Sequence, residues 1–159
     1  MKDLGKIIKI EEVYDIKLGN IGKLNGSNGA RLGMMQMINA LGGYGSYDGY
    51  ELETEKNKFY ILIENGQNCC EDWGYLSTND NIKDYIGKTI KKVVLTDNNL
   101  SNKELDELKC LDCGGVQFVT FYLTDGDILQ LVVYNAHNGY YGHNIIIAQN
   151  EDILLQDTL

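Results

Sequence analysis

Residues 116–135 of the chain write out a β-hairpin: VQFVTFYL, the turn TDGD, then ILQLVVYN. Asp125-Gly126 between two runs of β-branched and aromatic residues is a strong hairpin signal, because the glycine takes the positive φ that a tight turn needs. Two strands alone are marginal in water, so a chain that contains this hairpin has to supply a larger sheet for it to join.

The same pattern recurs upstream. Residues 50–54 and 58–64 flank the polar turn Glu55-Lys56-Asn57, and Phe59, Ile61 and Ile63 alternate with Tyr60 and Leu62. Both faces of that second strand are therefore expected to be covered. Residues 6–11 read as a strand with Ile8 and Ile10 on one face, residues 89–96 as another, and residues 145–148 as a short last one. Between Asn98 and Leu108, Ser101 is placed as an N-cap with Glu104 three residues on. Leu105 and Leu108 then share one face of a helix too short to stand without packing on the sheet. Residues 26–29 and 42–49 read as loops, and residues 32–41 as a short buried helix or strand.

The expected fold is thus α+β, predominantly antiparallel β-sheet with one or two short helices, an open sheet and a partly open barrel both being compatible. With 159 residues, 43% of them apolar, residues 1–159 are expected to form a single domain whose core needs neither metal nor disulfide.

The formal charge is −9, and Arg31 is the sole arginine. A phosphate backbone is held by a basic footprint, so direct sequence-specific nucleic-acid binding is not expected. Acidity of this size suits solubility, or docking on a basic protein partner by charge complementarity. No charged segment followed by an apolar one opens the chain, and no apolar run approaches a membrane span. A soluble, cytoplasmic protein without membrane contact is expected.

In the cytoplasm thiols stay reduced, and close cysteine pairs then favour metal over disulfide. Cys69 and Cys70 are adjacent in ENGQNCCEDWG, and Cys110 and Cys113 form a CxxC unit in KCLDCGG. Four soft ligands in two close pairs match a tetrahedral zinc site, with His137 and His143 as alternative ligands in a Cys₃His arrangement. Two alternating strand positions point to opposite faces, so Cys69 and Cys70 reach one ion only from a loop. Reduced structural thiols and redox or disulfide chemistry are the competing readings.

A nucleophilic Cys70 would need a basic partner, yet Glu71 and Asp72 follow it. A Cys70–His143 hydrolase pair is therefore a rival class, and no catalytic residue is assigned. Residues 26–31, GSNGAR, lack the spacing of a phosphate loop, and neither HExxH nor an EF-hand loop is present.

The segment YNAHNGYYGHN, residues 134–144, gathers both histidines and three of the eleven tyrosines. Aromatic rings with polar tips give a recognition surface large contact area together with hydrogen bonds. Trp73, Glu71, Asp72, Tyr140, Tyr141 and His143 are the expected binding surface. The competing reading is a glycine-rich turn whose tyrosines cover a sheet edge and whose histidines satisfy backbone groups.

GQNCCEDWG at 66–74, GVQFVTFYLTDG at 115–126 and YNAHNGYYGH at 134–143 resemble segments of an uncharacterised family of small proteins found in bacteriophages and Gram-positive bacteria. Residues 1–45 carry none of this likeness, and CLDC falls outside the shared pattern. The chain also looks like anti-defence proteins, in particular anti-CRISPR inhibitors of a Cas9-type nuclease, some of which are metalloproteins. That resemblance implies a phage-encoded, non-enzymatic inhibitor with zinc-stabilised loops. A structural or regulatory zinc-binding interaction domain is the alternative.

Overall fold

The computed structural model describes residues 2–17, 45–67, 71–100, 105, 115–137 and 142–159. Among them nine strands run in chain order: β1 (Gly5–Lys17), β2 (Ser46–Thr54), β3 (Lys58–Glu64), β4 (Glu71–Ser77), β5 (Thr89–Thr96), β6 (Gly115–Leu123), β7 (Ile128–His137), β8 (Asn144–Gln149) and β9 (Asp152–Thr158). A single 3₁₀ turn, Ile82–Tyr85, stands between β4 and β5, and no α-helix is found among the described residues. The expected helix over residues 98–108 lies outside them except for its first three residues and Leu105, as does the segment 32–41.

The strands form one open antiparallel sheet in the order β4-β7-β6-β5-β1-β2-β3-β8-β9. The hinge of this sheet is β1. It pairs with β2 from Ile7 to Lys17 but with β5 only at Gly5 and Lys6. The half-sheet β4-β7-β6-β5 therefore folds over the half-sheet β1-β2-β3-β8-β9, and one core fills the space between them. That core takes Ile7, Tyr50, Leu52, Phe59, Ile61, Ile63, Ile145 and Ile147 from one half and Val119, Phe121, Leu129, Leu131 and Val133 from the other. Phe59 meets Phe121 edge to face across it, with centroids 5.3 Å apart.

The hairpin of residues 116–135 forms as its sequence predicts. Leu123 N–H donates to the Asp127 carbonyl at 2.9 Å, and Gly126 takes φ +95°. The strand over residues 89–96 is also observed. In β3 both faces are buried: Phe59, Ile61 and Ile63 face the shared core, while Tyr60 and Leu62 join Tyr47, Ile146 and Ala148 in a second cluster on the outer side.

Two expectations fail for local reasons, and two strands go unannounced in the sequence. Ile8 does not share a face with Ile10: a bulge between Ile7 and Lys9 shifts the alternation, so Ile7 and Ile10 are buried while Ile8 is 49% exposed. Residues 46–49, expected in a loop, are strand. Gly49 allows the close approach there, since a Cβ would stand 2.0 Å from the Ile61 carbonyl oxygen. Finally, β4 and β9 were not read as strands. EDWGYLS has no β-branched residue to announce it, and in DILLQDT a bulge at Leu154 breaks the alternation.

The outer face of the first half-sheet carries Leu76, Val116, Phe118 and Val132, with Leu105 buried against them. Gln130 fastens the chain that leaves β5 to this face. Its Nε2 donates to the Asn98 carbonyl at 3.0 Å and to Thr120 Oγ1 at 2.9 Å, and its Oε1 accepts from Leu100 N–H at 2.9 Å. A buried amide satisfied on both sides is stable where a half-satisfied one is not.

Candidate functional site

The register of three neighbouring strands places residues distant in sequence at one rim. Glu71 opens β4 opposite His137, which ends β7, and Trp73, Asn135 and Gly115 lie in a row across β4, β7 and β6. The opposite half-sheet brings Asn144 and Thr158 to the same rim as a Cα pair, with His143 and Leu159 beside them. His143 and Leu159 exchange backbone hydrogen bonds of 2.9 and 2.8 Å. Asn135 Nδ2 reaches across from β7 to donate to the Leu159 carbonyl at 3.0 Å.

At the centre of this rim His143 is stacked on Trp73, with centroids 5.3 Å apart and planes at 25°. Trp73 Nε1–H donates to Gln67 Oε1 at 2.8 Å. The Nδ1 of His143 lies 2.5 Å from the Glu64 carbonyl oxygen. A carbonyl only accepts, so Nδ1 carries the proton, and in the neutral ring Nε2 is the nitrogen with the lone pair. A histidine that ligates a metal through Nε2 is commonly held this way, its other N–H on a backbone carbonyl. The Glu64 side chain also serves the rim, its Oε2 lying 3.4 Å from the Asn144 amide. Thr158 Oγ1 donates to Asn144 Oδ1 at 2.8 Å.

Cys69, Cys70, Cys110, Cys113, Tyr140 and Tyr141 lie outside the described residues, so the expected ligand set is not described as a group. Among the described residues no three His, Cys, Asp or Glu side chains gather as a metal site. Glu71 and His137 are placed by their backbone pairing. Asp72 is exposed and Trp73 half-buried. His143 is different: with 2% of its surface exposed, it is enclosed between the indole, the Glu64 carbonyl and the end of β9.

Sequence reasoning passed over Glu64, Asn135 and Leu159, which shape the rim. Asn135 carried the one available signal, a polar residue at a position where the strand alternation points inward. It is fully buried. Gly74 was also unremarked. Tyr134 lies over it, and a Cβ there would come within 2.7 Å of the Tyr134 hydroxyl.

No helix among the described residues is long and apolar enough to cross a membrane. A family model described as "Domain of unknown function (DUF7448)" matches residues 3–147, which takes in the first strand as well as the segments carrying the earlier resemblance. No curated protein and no solved structure matches the chain.

Proposed function

The chain belongs to the DUF7448 family, a domain of unknown function, and from its own residues we propose that it is a non-enzymatic binding domain that docks on a basic protein partner. In this reading zinc clamps the loops at the rim built by β4, β6 and β7. The finest form of the reading is an anti-defence inhibitor, cytoplasmic in the host cell, that covers the nucleic-acid channel of a Cas9-type nuclease.

The observation that carries the clamp is the strand order. Cys70 directly precedes Glu71 at the start of β4, and Cys113 precedes by two residues Gly115 at the start of β6. Both strands flank β7, whose end leads into the histidine and tyrosine segment. Consecutive Cα atoms are about 3.8 Å apart, so neither cysteine lies far along the chain from its strand end. The donor chemistry fits as well: thiolates and an Nε2 set by its Nδ1–H bond are zinc ligands. Cys69, Cys70, Cys110 and Cys113 would hold the ion, with His143 or His137 replacing one thiolate. The ion would fix the loops and contribute folding free energy. The charge of −9 supports the partner chemistry.

Two measurements test this. Native mass spectrometry of protein purified without chelator, with metal analysis on the same sample, should find one retained zinc. A folded, metal-free protein with four free thiols would end the clamp. Titration against Cas9-type nucleases at low and at physiological salt should show binding that weakens as salt rises. No binding at either salt would remove the nuclease as partner.

A further inference from the structure

The two edges of the sheet are built differently. β9 has a bulge, with Leu154 as the extra residue, and carries Asp152 and Asp157. Bulges and charges of this kind protect an edge from further pairing. β4 also carries two acids, Glu71 and Asp72, but it has no bulge and pairs with β7 without interruption from Glu71 to Ser77.

Two hydrogen bonds settle which backbone groups β4 turns outward. Thr78 N–H donates to the Gln130 carbonyl at 3.1 Å, one step beyond the Ser77–Leu131 pair. In an antiparallel ladder opposite residues alternate between bonded and non-bonded pairs, so Asp72, Gly74 and Leu76 bond to β7. The hairpin bond from Leu123 to Asp127 gives the same phase independently, because it commits the odd-numbered residues of β7 to β6. The N–H and C=O groups of Trp73, Tyr75 and Ser77 therefore point away from β7. No described residue bonds to them.

Beside this edge stands an acidic, tyrosine-bearing rim from the end of the β1–β2 pair. The Tyr75 ring packs edge to face on Tyr50, with centroids 5.3 Å apart, and burial together with the nearby charges of Glu12 and Asp48 pushes its hydroxyl up; the Tyr14 hydroxyl donates to Glu12 Oε2 at 2.7 Å. Asp15 and Asp48 are held together by Asn65, whose Nδ2 donates to both at 2.9 Å. Lys9, Lys56, Lys58 and Lys88 are paired with other carboxylates. Lys17 donates to Ser46 Oγ. Among the described residues no lysine pairs with Glu12, Asp15, Asp48 or Asp72.

We propose that the edge of β4, unpaired among the described residues, is a docking strand, to which an extended lysine- or arginine-bearing segment of a partner protein adds as a further strand with its cations toward Glu12, Asp15 and Asp48. This deepens the functional reading above and rests on the partner being basic. Strand addition takes affinity from main-chain bonds and selectivity from alternate side chains, and here the alternate side chains meet carboxylates. A second copy of this chain is the poorer occupant, because it would bring the same acidic rim against itself.

Trp73 is the only tryptophan and lies on β4, so its emission reports on the edge directly. The purified chain of residues 1–159 is titrated at low salt with a capped peptide of alternating Lys and Val, its Glu and Val counterpart, and a Lys and Val peptide N-methylated at alternate residues. The Lys peptide should shift Trp73 emission and slow hydrogen exchange at the amides of Trp73, Tyr75 and Ser77. The Glu peptide should do neither. N-methylation should weaken binding by about tenfold or more, since it removes the donors a strand would use.

Equal binding of the N-methylated peptide would overturn strand addition while leaving a charge-based contact with a basic partner intact. No binding of the Lys peptide would likewise end the docking strand, and binding of an intact nuclease would then be judged separately. Equal binding of the Glu peptide would remove the charge selection. A concentration-dependent dimer with these three amides protected would assign the edge to a second copy instead.

Discussion

Tyr47 links the stability of the fold to alkaline pH in a way that one substitution isolates. It is 1% exposed on the outer side of β2, and burial, reinforced by the charge of Glu64, pushes its hydroxyl from 10.0 up to about 12. The folded state keeps this proton when the unfolded chain has already lost it. The difference in bound protons between unfolded and folded states is then close to −1 from pH 10 to pH 12, so stability falls as pH rises through that window. A pKa rise of this size corresponds to about 2.7 kcal/mol, lost at about 1.4 kcal/mol per pH unit. Below pH 10 the contribution is fully present. Tyr47→Phe keeps the ring and removes the ionisation. Urea unfolding at pH 9, 10, 11 and 11.5 should show similar stabilities at the lowest pH and a shallower decline for the variant above pH 10. Tyr50 and Tyr75 are also pushed up by burial, and they are present in both proteins, so the comparison cancels them. Parallel curves from pH 9 to 11.5 would refute the buried, protonated Tyr47.

Gly49→Ala forces a Cβ onto the Ile61 carbonyl in the middle of the sheet and should cost about 3 kcal/mol in urea unfolding, the upper range for overpacking. Gly126→Ala meets open space but keeps φ +95°, so it should cost only about 1 kcal/mol. Equal losses at the two glycines would contradict the close approach at Gly49. Phe121→Ala empties the centre of the core opposite Phe59 and should lower stability by about 3–5 kcal/mol, read from the urea midpoint at unchanged slope. His143→Phe can keep the stack on Trp73 but leaves the Glu64 carbonyl without its donor, at a cost of about 1–3 kcal/mol in chelator-treated protein. An unchanged midpoint would mean that this bond is not made.

Strands whose two faces obey simple alternation were legible from the residues alone. The hairpin of β6 and β7, the two-sided apolar run of β3 and the β-branched run of β5 each carry their own signal, and the Asp125-Gly126 turn fixes the register of the first pair locally. Where the backbone departs from regular pairing, the pattern misleads. The bulge after Ile7 buries Ile7 in place of Ile8 while Ile10 stays inside, and Gly49 looks like a loop residue although it is a strand residue crossed by a carbonyl. Neither the bulge nor the crossing leaves a local mark, because each depends on what the neighbouring strand does.

The rim shows the same division on a larger scale. Its residues were recognisable one by one as chemistry: a tryptophan after acidic residues and a histidine among tyrosines. Their common location was not, because it depends on β4, an unannounced strand, pairing with the far side of a hairpin formed some forty residues later in the chain. Once Glu71 stands opposite His137, and Gly115 opposite Asn135, Trp73 and His143 have to meet across the end of the sandwich. That pairing also leaves β4 at the margin of the described sheet, with the N–H and C=O groups of Trp73, Tyr75 and Ser77 turned away from β7. Among the described residues the strand that gathers the rim is thereby also the one whose outward backbone groups have no partner, so under the docking-strand proposal occupation of the edge and order at the rim should be sensed by the same indole.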